Sequence, residues 1–159
     1  MHEHWVERSL ATDLQKAGIT VVLDRWHNPP GSSIGRFIDR LEKVDRIIAV
    51  GTIAYRKKYD NEDSESGTVV AAECAQINTR MRGVEKSKAT IIPVLLEGTA
   101  AKSFPPCLSD QVFSDFRKPE AYFDKALELL LSLYQIPPQH PIATELCESL
   151  VGQREHQIS

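Results

Sequence analysis

The stretch that decides the fold runs from Ile19 to Ile77 and reads ITVVLDRW (19–26), HNPPGSS (27–33), IGRFIDRLEKV (34–44), DRIIAVGT (45–52) and, after a polar gap, GTVVAAECAQI (67–77). Ile19–Leu23 is short, apolar and β-branched, and Arg46–Val50 is similar, as expected for strands buried on both faces of a parallel sheet. The Pro-Pro-Gly turn between them excludes helix there, and the apolar residues that follow it have helical spacing. The order is therefore strand, loop, helix, strand, loop, helix.

The rest of the chain continues this alternation. Apolar residues at helical spacing predict a helix over 3–17, followed by Gly18 where a left-handed C-cap is favoured. The remaining patterns predict helices at 34–44, 68–81 and 119–134, strands at 89–96 and 111–113, and loops at 57–67 and 97–110. Strands that alternate with helices indicate an α/β fold with right-handed crossovers, here a flavodoxin-like parallel sheet flanked by helices.

Length and composition narrow the class of protein. The chain has 159 residues and a formal net charge of −3. We predict one domain over 1–136 and a tail or linker over 137–159, in which Pro141 can start a short helix. The weak charge favours neither nucleic acid nor an anionic membrane surface as a partner, and no apolar run reaches the ~18 residues that span a bilayer. The three separated cysteines indicate reduced thiols in a cytoplasmic protein, and they share no metal-ligand spacing with the histidines.

Glu73 is the first candidate for chemistry because it stands within an apolar helical face. Its neighbours on that face are Val69, Val70 and Ile77. A carboxylate partly withdrawn from water can stabilise positive charge at an anomeric carbon when a glycosidic bond breaks. Spacing alone also allows, and favours, a second interpretation in which Glu73 lies at the edge of the stripe with its carboxylate in water.

The quoted residues resemble the Toll/interleukin-1 receptor (TIR) domain, in particular its short prokaryotic and fungal-type members. The resemblance covers roughly residues 5–134. It matches Glu73 to the family's catalytic glutamate, which cleaves NAD⁺ to nicotinamide and ADP-ribose or a cyclic variant. NAD⁺ is then the substrate, and no separate cofactor is expected. Family NADases often have an aromatic residue four positions before this glutamate, where this chain has Val69, a position we assign to the NAD⁺ site.

The loop 24–33, DRWHNPPGSS, corresponds in this resemblance to the family's BB loop, which borders the NAD⁺ site and makes TIR–TIR contacts. It follows the carboxyl end of a predicted strand, where ligands bind in such sheets. Gly31 permits close backbone approach, while Ser32 and Ser33 offer hydroxyls and helix N-terminal amides to a phosphate or ribose. Trp26 or His27 can stack on a ring. A plain Pro-Gly connection with a serine cap and a packed tryptophan explains each residue equally well.

The resemblance also predicts an incomplete sheet. TIR domains open with a strand that often reads like FISYS and lies centrally in a 2-1-3-4-5 order, between the strands that match Ile19–Leu23 and Arg46–Val50. The sequence begins within the segment that should follow that strand. We expect the two runs to recover their hydrogen bonds by pairing with each other, with a terminal segment, or with a second protomer.

Three classes of function follow from the sequence. The resemblance implies an NAD⁺ glycohydrolase of immune or cell-death-type signalling, helped by homotypic TIR–TIR self-association into a dimer or higher oligomer. The alternative is a non-catalytic signalling or scaffolding module that acts through the same self-association. A phosphoacceptor receiver domain is disfavoured because the second strand ends in Gly51 and Thr52, without the required aspartate. The basic run 55–58 can either neutralise a pyrophosphate or be solvated, so it receives no role.

Overall fold

The computed structural model describes residues 2–23, 40, 43–60, 73–79, 82, 90–137, 139–145 and 148. The chain forms two compact units, Met1–Pro119 and Glu120–Ser159. The first unit contains the sheet and the helices between its strands. The second contains a long amphipathic helix and a short helical turn over 141–145. The boundary predicted near residue 136 between domain and tail stays a prediction.

The predicted N-terminal helix is present, with one unexpected turn. It consists of α1 (His2–Trp5), a π-helical turn (Val6–Ala11) and α2 (Thr12–Lys16). The Thr12 hydroxyl donates to the Glu7 carbonyl at 2.8 Å, five residues back, within the wider turn. Gly18 ends the helix at φ 91°, as predicted, and the next residue donates its N–H to the carbonyl of Leu14 at 3.0 Å.

The sheet is parallel, with the order β1–β2–β3 among the described residues. Its strands are β1 (Ile47–Gly51), β2 (Ile91–Leu95) and β3 (Ser114–Asp115). Ile47 pairs with Ile91 and the register continues to Gly51 and Leu95, while β3 pairs only with the last two residues of β2. The parallel sheet confirms the predicted α/β class, and β1 and β2 confirm the strands expected at 46–50 and 89–96.

The strand predicted at 111–113 is wrong, because the pairing begins at Ser114. The N–H of Phe116 donates to the carbonyl of Leu95 at 2.8 Å, so Leu95 directs its backbone groups toward β3. Backbone direction alternates along a strand, so Pro93 faces the same side and offers no N–H to a neighbour there. The ladder to β3 can therefore begin only at the Pro93 carbonyl, with Val94 as the first residue of β2 that is paired with β3. Val112, in the middle of the predicted strand at 111–113, is 94% exposed.

The strand predicted at 19–23 is also wrong. These residues have no strand pairing in the structure, Thr20 is exposed, and the others are only partly buried. In a 2-1-3-4-5 order this run pairs solely with the central first strand. None of the described residues supplies that strand, and 19–23 does not pair with β1 instead. The apolar pattern is present, but a ladder needs a neighbour.

Two helices replace predicted loops. Helix α3 (Ile53–Asp60) includes the first four residues of the loop expected at 57–67, and Arg56 pairs with Asp60 along it at 3.0 Å. The next helix, α4, agrees with the prediction: its described residues, 73–79, lie within the helix expected at 68–81. Helix α5 (Ala100–Ser103) interrupts the loop expected at 97–110.

The remaining helices agree with the sequence patterns. A 3₁₀ turn (Pro119–Ala121) leads into α6 (Tyr122–Leu133), as predicted for 119–134, and residues 141–145 form the helical turn expected after Pro141. Of the helix predicted at 34–44, the structure describes Arg40 and Lys43, which are helical, and Val44, which is not.

The core of the first unit lies between the sheet and the helices that cross it. Its buried members are Ile47, Ala49, Ile77, Ile91, Leu95, Phe104 and Leu108. Gly51 is required at the end of β1, because a Cβ atom there would lie 2.5 Å from the buried Phe104 ring. The tight contact fixes the segment after α5 against the carboxyl end of β1.

Candidate functional site

The carboxyl ends of the three parallel strands meet at one edge of the sheet, which is where α/β folds bind ligands. Backbone hydrogen bonds continue beyond the strands at this rim. The N–H of Leu96 donates to the carbonyl of Gly51 at 3.1 Å, next to the bond from Phe116 to Leu95. The residues that follow each strand are therefore held side by side.

The first turn of α3 is anchored to this rim at two points. Thr52, which directly follows β1 and is 8% exposed, accepts a hydrogen bond at its hydroxyl from the N–H of Tyr55 at 3.0 Å. The N–H of Ile53 donates to the Glu97 carboxylate at 2.9 Å. Both bonds satisfy amides that a helix start leaves without intrahelical partners. Because Glu97 follows β2, the second bond ties the start of α3 to the neighbouring strand.

The loop after β2 is shaped by its own hydrogen bonds. The buried Ser103 hydroxyl donates to the carbonyl of Glu97 at 2.6 Å. Gly98 has φ 70°, and a Cβ atom there would lie 2.7 Å from that same hydroxyl oxygen. Arg117, beyond β3, donates to the carbonyl of Gly98 at 3.1 Å. This loop is thus held to α5 through Ser103 and to the segment after β3 through Arg117.

The two arginines near the rim are occupied by protein groups. Arg117 donates to Asp115 at 2.9 and 2.7 Å, and these bonds lower the pKa of Asp115 to about 2. Arg56 donates to the carbonyls of Ala101 and Phe104 at 3.0 and 2.9 Å as well as to its helical partner. The Arg56 guanidinium thus fastens α3 to the segment around α5, and the two interpretations of the basic run 55–58 stay predictions.

Glu73 is half-buried at the first described residue of α4. The next residue, Cys74, is 2% exposed, and its Sγ lies 3.6 Å from the Tyr55 hydroxyl. One turn later, Ile77 is 3% exposed and belongs to the core. The predicted apolar helical face is confirmed at Ile77, and the Tyr55–Cys74 contact places this part of α4 near the carboxyl end of β1.

Burial keeps both the Tyr55 hydroxyl and the Cys74 thiol protonated. Loss of solvent raises the pKa of Tyr55 well above its ordinary value and raises that of Cys74 to about 11, although the hydrogen bond from Tyr55 opposes the shift at Cys74. The charges of Cys107 and Glu73 act in the same direction as burial at both groups. At neutral pH the phenol and the thiol are therefore uncharged beside the Glu73 carboxylate.

A family model described as the TIR domain matches residues 1–131 of the chain. The chain belongs to the TIR domain family. Comparison with curated proteins gives no significant match, and comparison with solved structures gives none either. The match and the parallel sheet together establish the flavodoxin-like α/β fold that the sequence predicts. TIR domains commonly self-associate.

The described part of this TIR domain contains one of the seven predicted NAD⁺-site residues, Glu73. The other six lie outside the described residues, and their roles stay predictions: Trp26, His27, Gly31, Ser32, Ser33 and Val69.

Sequence reasoning missed the rim contacts of Cys74 and Glu97. For Cys74, its place directly after Glu73 in the predicted apolar helix was a sequence signal that could have indicated a buried contact. No local signal could find Glu97, because its contact with Ile53 joins residues 44 positions apart.

Two further properties concern only the part of this TIR domain that the structure describes. It contains no group of three or more His, Cys, Asp or Glu side chains that could hold a metal ion. Of its helices, none is both long enough and apolar enough to cross a membrane.

Proposed function

We propose that this TIR domain is an NAD⁺ glycohydrolase with Glu73 as its catalytic carboxylate. The observation that carries the proposal is the half-buried position of Glu73 in α4, next to the cysteine that contacts Tyr55 near the carboxyl end of β1. A half-buried carboxylate near the ligand-binding edge of an α/β sheet is well placed to act on a bound dinucleotide.

The reaction breaks the bond between C1′ of the ribose and the nicotinamide nitrogen. The bonding electrons leave with nicotinamide, which becomes neutral, and the ribose acquires oxocarbenium character. The Glu73 carboxylate stabilises that positive charge and orients the ribose hydroxyls. Water then adds to C1′ and loses a proton, so NAD⁺ and water give nicotinamide, ADP-ribose and one proton. Attack by a group of the substrate itself in place of water gives a cyclic product.

The loop 24–33 supplies the rest of the proposed site. Gly31, Ser32 and Ser33 would border the phosphates or ribose, and Trp26 or His27 would stack on a ring. Self-association would complete the site, since loops at this edge also make TIR–TIR contacts in the family. These roles rest on the sequence resemblance.

A non-catalytic signalling or scaffolding module is the second candidate. The observation that favours it is Val69, which stands four residues before Glu73 where the family's NADases often have an aromatic side chain. Without a ring there, the nicotinamide loses a stacking partner. In this alternative the domain acts through homotypic TIR–TIR contacts alone.

Nicotinamide release from NAD⁺, measured over a wide range of protein concentration, separates the candidates. Glu73→Gln keeps the side-chain shape but removes the charge, and should lower kcat by about 10²–10³ with little change in melting temperature. Glu145→Gln, the same change at an exposed residue of the second unit, should leave turnover unchanged. Equal turnover in Glu73→Gln would remove Glu73 from the mechanism. A wild-type protein that self-associates but releases no nicotinamide at any concentration would support the signalling module.

A further inference from the structure

Tyr55 joins three parts of the candidate site. Its N–H is held by the buried Thr52, which follows β1, and its hydroxyl lies 3.6 Å from the Cys74 sulfur in α4. The preceding turn is fixed again where Ile53 donates to Glu97. The tyrosine therefore extends from a rigid backbone that is attached to two neighbouring strands.

Contact with Cys74 controls the direction of the neighbouring glutamate. Consecutive residues of an α-helix are separated by about 100° around its axis, so a restraint on one fixes the direction of the next. Ile77 holds α4 in the core one turn further along, where it is 3% exposed. With one attachment at Cys74 and one at Ile77, this part of α4 can neither rotate nor shift without breaking a contact.

We infer that Tyr55 is a positioning residue for Glu73: its hydroxyl, hydrogen-bonded to Cys74, holds α4 at this point so that the carboxylate faces the bound ribose. This role rests on the proposed NAD⁺ hydrolysis. Tyr55 itself takes no part in bond breaking. Its effect is on geometry, and a displacement of about 1 Å in a catalytic group can lower a rate by about 10²-fold.

The chemistry of the contact suits this role. Burial raises the pKa of both the phenol and the thiol, so neither group ionises at neutral pH. Either atom can donate the hydrogen bond. A neutral contact places no second negative charge beside Glu73, which leaves its carboxylate as the charged group of this cluster that can stabilise a ribosyl cation.

Tyr55→Phe tests the inference because it keeps the ring and removes only the hydroxyl. We expect kcat to fall about tenfold while KM changes less than about twofold. Tyr59→Phe, the same substitution one turn further along α3, is the control and should keep the wild-type kcat. Cys74→Ala removes the other side of the contact and should also lower kcat. The double variant Tyr55→Phe/Cys74→Ala should be no slower than the slower single variant, since both remove one interaction.

Hydrogen exchange over residues 73–79 provides a readout that does not need turnover. Exchange in α4 should be faster in Tyr55→Phe than in Tyr59→Phe, because the helix has lost the restraint at Cys74. Unchanged kcat in Tyr55→Phe, in a protein where Glu73→Gln is inactive, would overturn the role of Tyr55 and leave the proposed function standing.

The opposite failure has a different signature. A wild-type protein without turnover would reject the proposed function, and exchange would then decide whether Tyr55 holds α4. Equal exchange in the two tyrosine variants would overturn that contact as well. Should Tyr55→Phe fail to fold, Cys74→Ser and Cys74→Ala supply the same comparison: the serine can still hydrogen-bond Tyr55 and should retain more activity and slower exchange than the alanine.

Discussion

Two apolar runs of similar composition have different structures in this protein. IIPVL at Ile91–Leu95 is the central strand of the described sheet, with β1 on one side and β3 on the other. ITVVL at 19–23 has the higher β-propensity and contains no proline, yet it forms no strand and is only partly buried. The difference lies in their neighbours. A strand needs a neighbouring strand to accept and donate its backbone hydrogen bonds, and β-propensity alone does not supply that neighbour.

The same contrast divides the candidate site. Glu73 is the first described residue of α4, a helix that is connected through Tyr55 and Thr52 to β1, a strand paired along its whole length with β2. The predicted loop 24–33, which carries five of the predicted NAD⁺-site residues and lies outside the described residues, follows the run 19–23, which forms no strand. Among the described residues, the proposed catalytic carboxylate is therefore on a helix that is anchored to the sheet.

The largest expected difference between the two runs concerns their last residues, which are both leucine. Leu95 is fully buried in the core, whereas Leu23 is partly buried. Leu95→Ala should lower the free energy of unfolding by about 2–5 kcal/mol, because it leaves a cavity. Leu23→Ala should cost about 1 kcal/mol or less. Urea unfolding of the two variants checks this, and equal losses would show that 19–23 is packed as firmly as the sheet.

A smaller effect is expected at the end of β1. Gly51→Ala places a Cβ atom 2.5 Å from the ring of Phe104, which is fully buried and has little room to move. Overpacking of this kind should lower the free energy of unfolding by about 1–3 kcal/mol. Phe104→Leu removes the ring. Gly51→Ala should therefore lower the free energy of unfolding less in a Phe104→Leu background than in the wild type, which is a partial recovery of the loss. No recovery would show that the ring contact is not what requires glycine.

The smallest effect is expected at β3, where a strand of two residues pairs because β2 lies beside it. Arg117 lowers the pKa of Asp115 from 3.8 to about 2. A carboxyl group with a depressed folded pKa contributes stability above its unfolded pKa and loses it as pH falls through the folded value. The wild type should therefore lose a little stability between about pH 3.8 and about pH 2 that Asp115→Asn does not lose. The loss should be small because both side chains are substantially exposed. Melting curves across this range that are parallel for the two proteins would show that the pair contributes nothing.

Much of the fold could be predicted from local patterns. The runs at Ile47–Gly51 and Ile91–Leu95 are buried strands, Tyr122–Leu133 is an amphipathic helix, and Gly18 ends the first helix at positive φ, all as the sequence indicated. Each of these features depends on residues close together in sequence. That is why periodicity and turn chemistry were sufficient.

The features that failed depend on distant residues. The helix at Ile53–Asp60 lies in a polar stretch and begins where Glu97, 44 residues away, accepts its first N–H. The position of β3 depends on Pro93, whose missing donor could matter only once its neighbour was known. Glu73 could be selected from its apolar helical face and the family resemblance, but its connection to the rim through Tyr55 could not.

Native-state hydrogen exchange tests most directly whether a neighbouring strand, rather than amino-acid composition, decides which apolar run forms a strand. In β1 the amides of Ile47, Ala49 and Gly51 face β2, since the first donates to the Thr90 carbonyl and the last strand carbonyl accepts from Leu96. These amides should exchange at least about 100-fold more slowly than the amides of residues 20–22, because a paired strand exchanges only when the sheet opens. Equally slow exchange over 20–22 would contradict this explanation, since it would show that ITVVL is hydrogen-bonded as a strand after all.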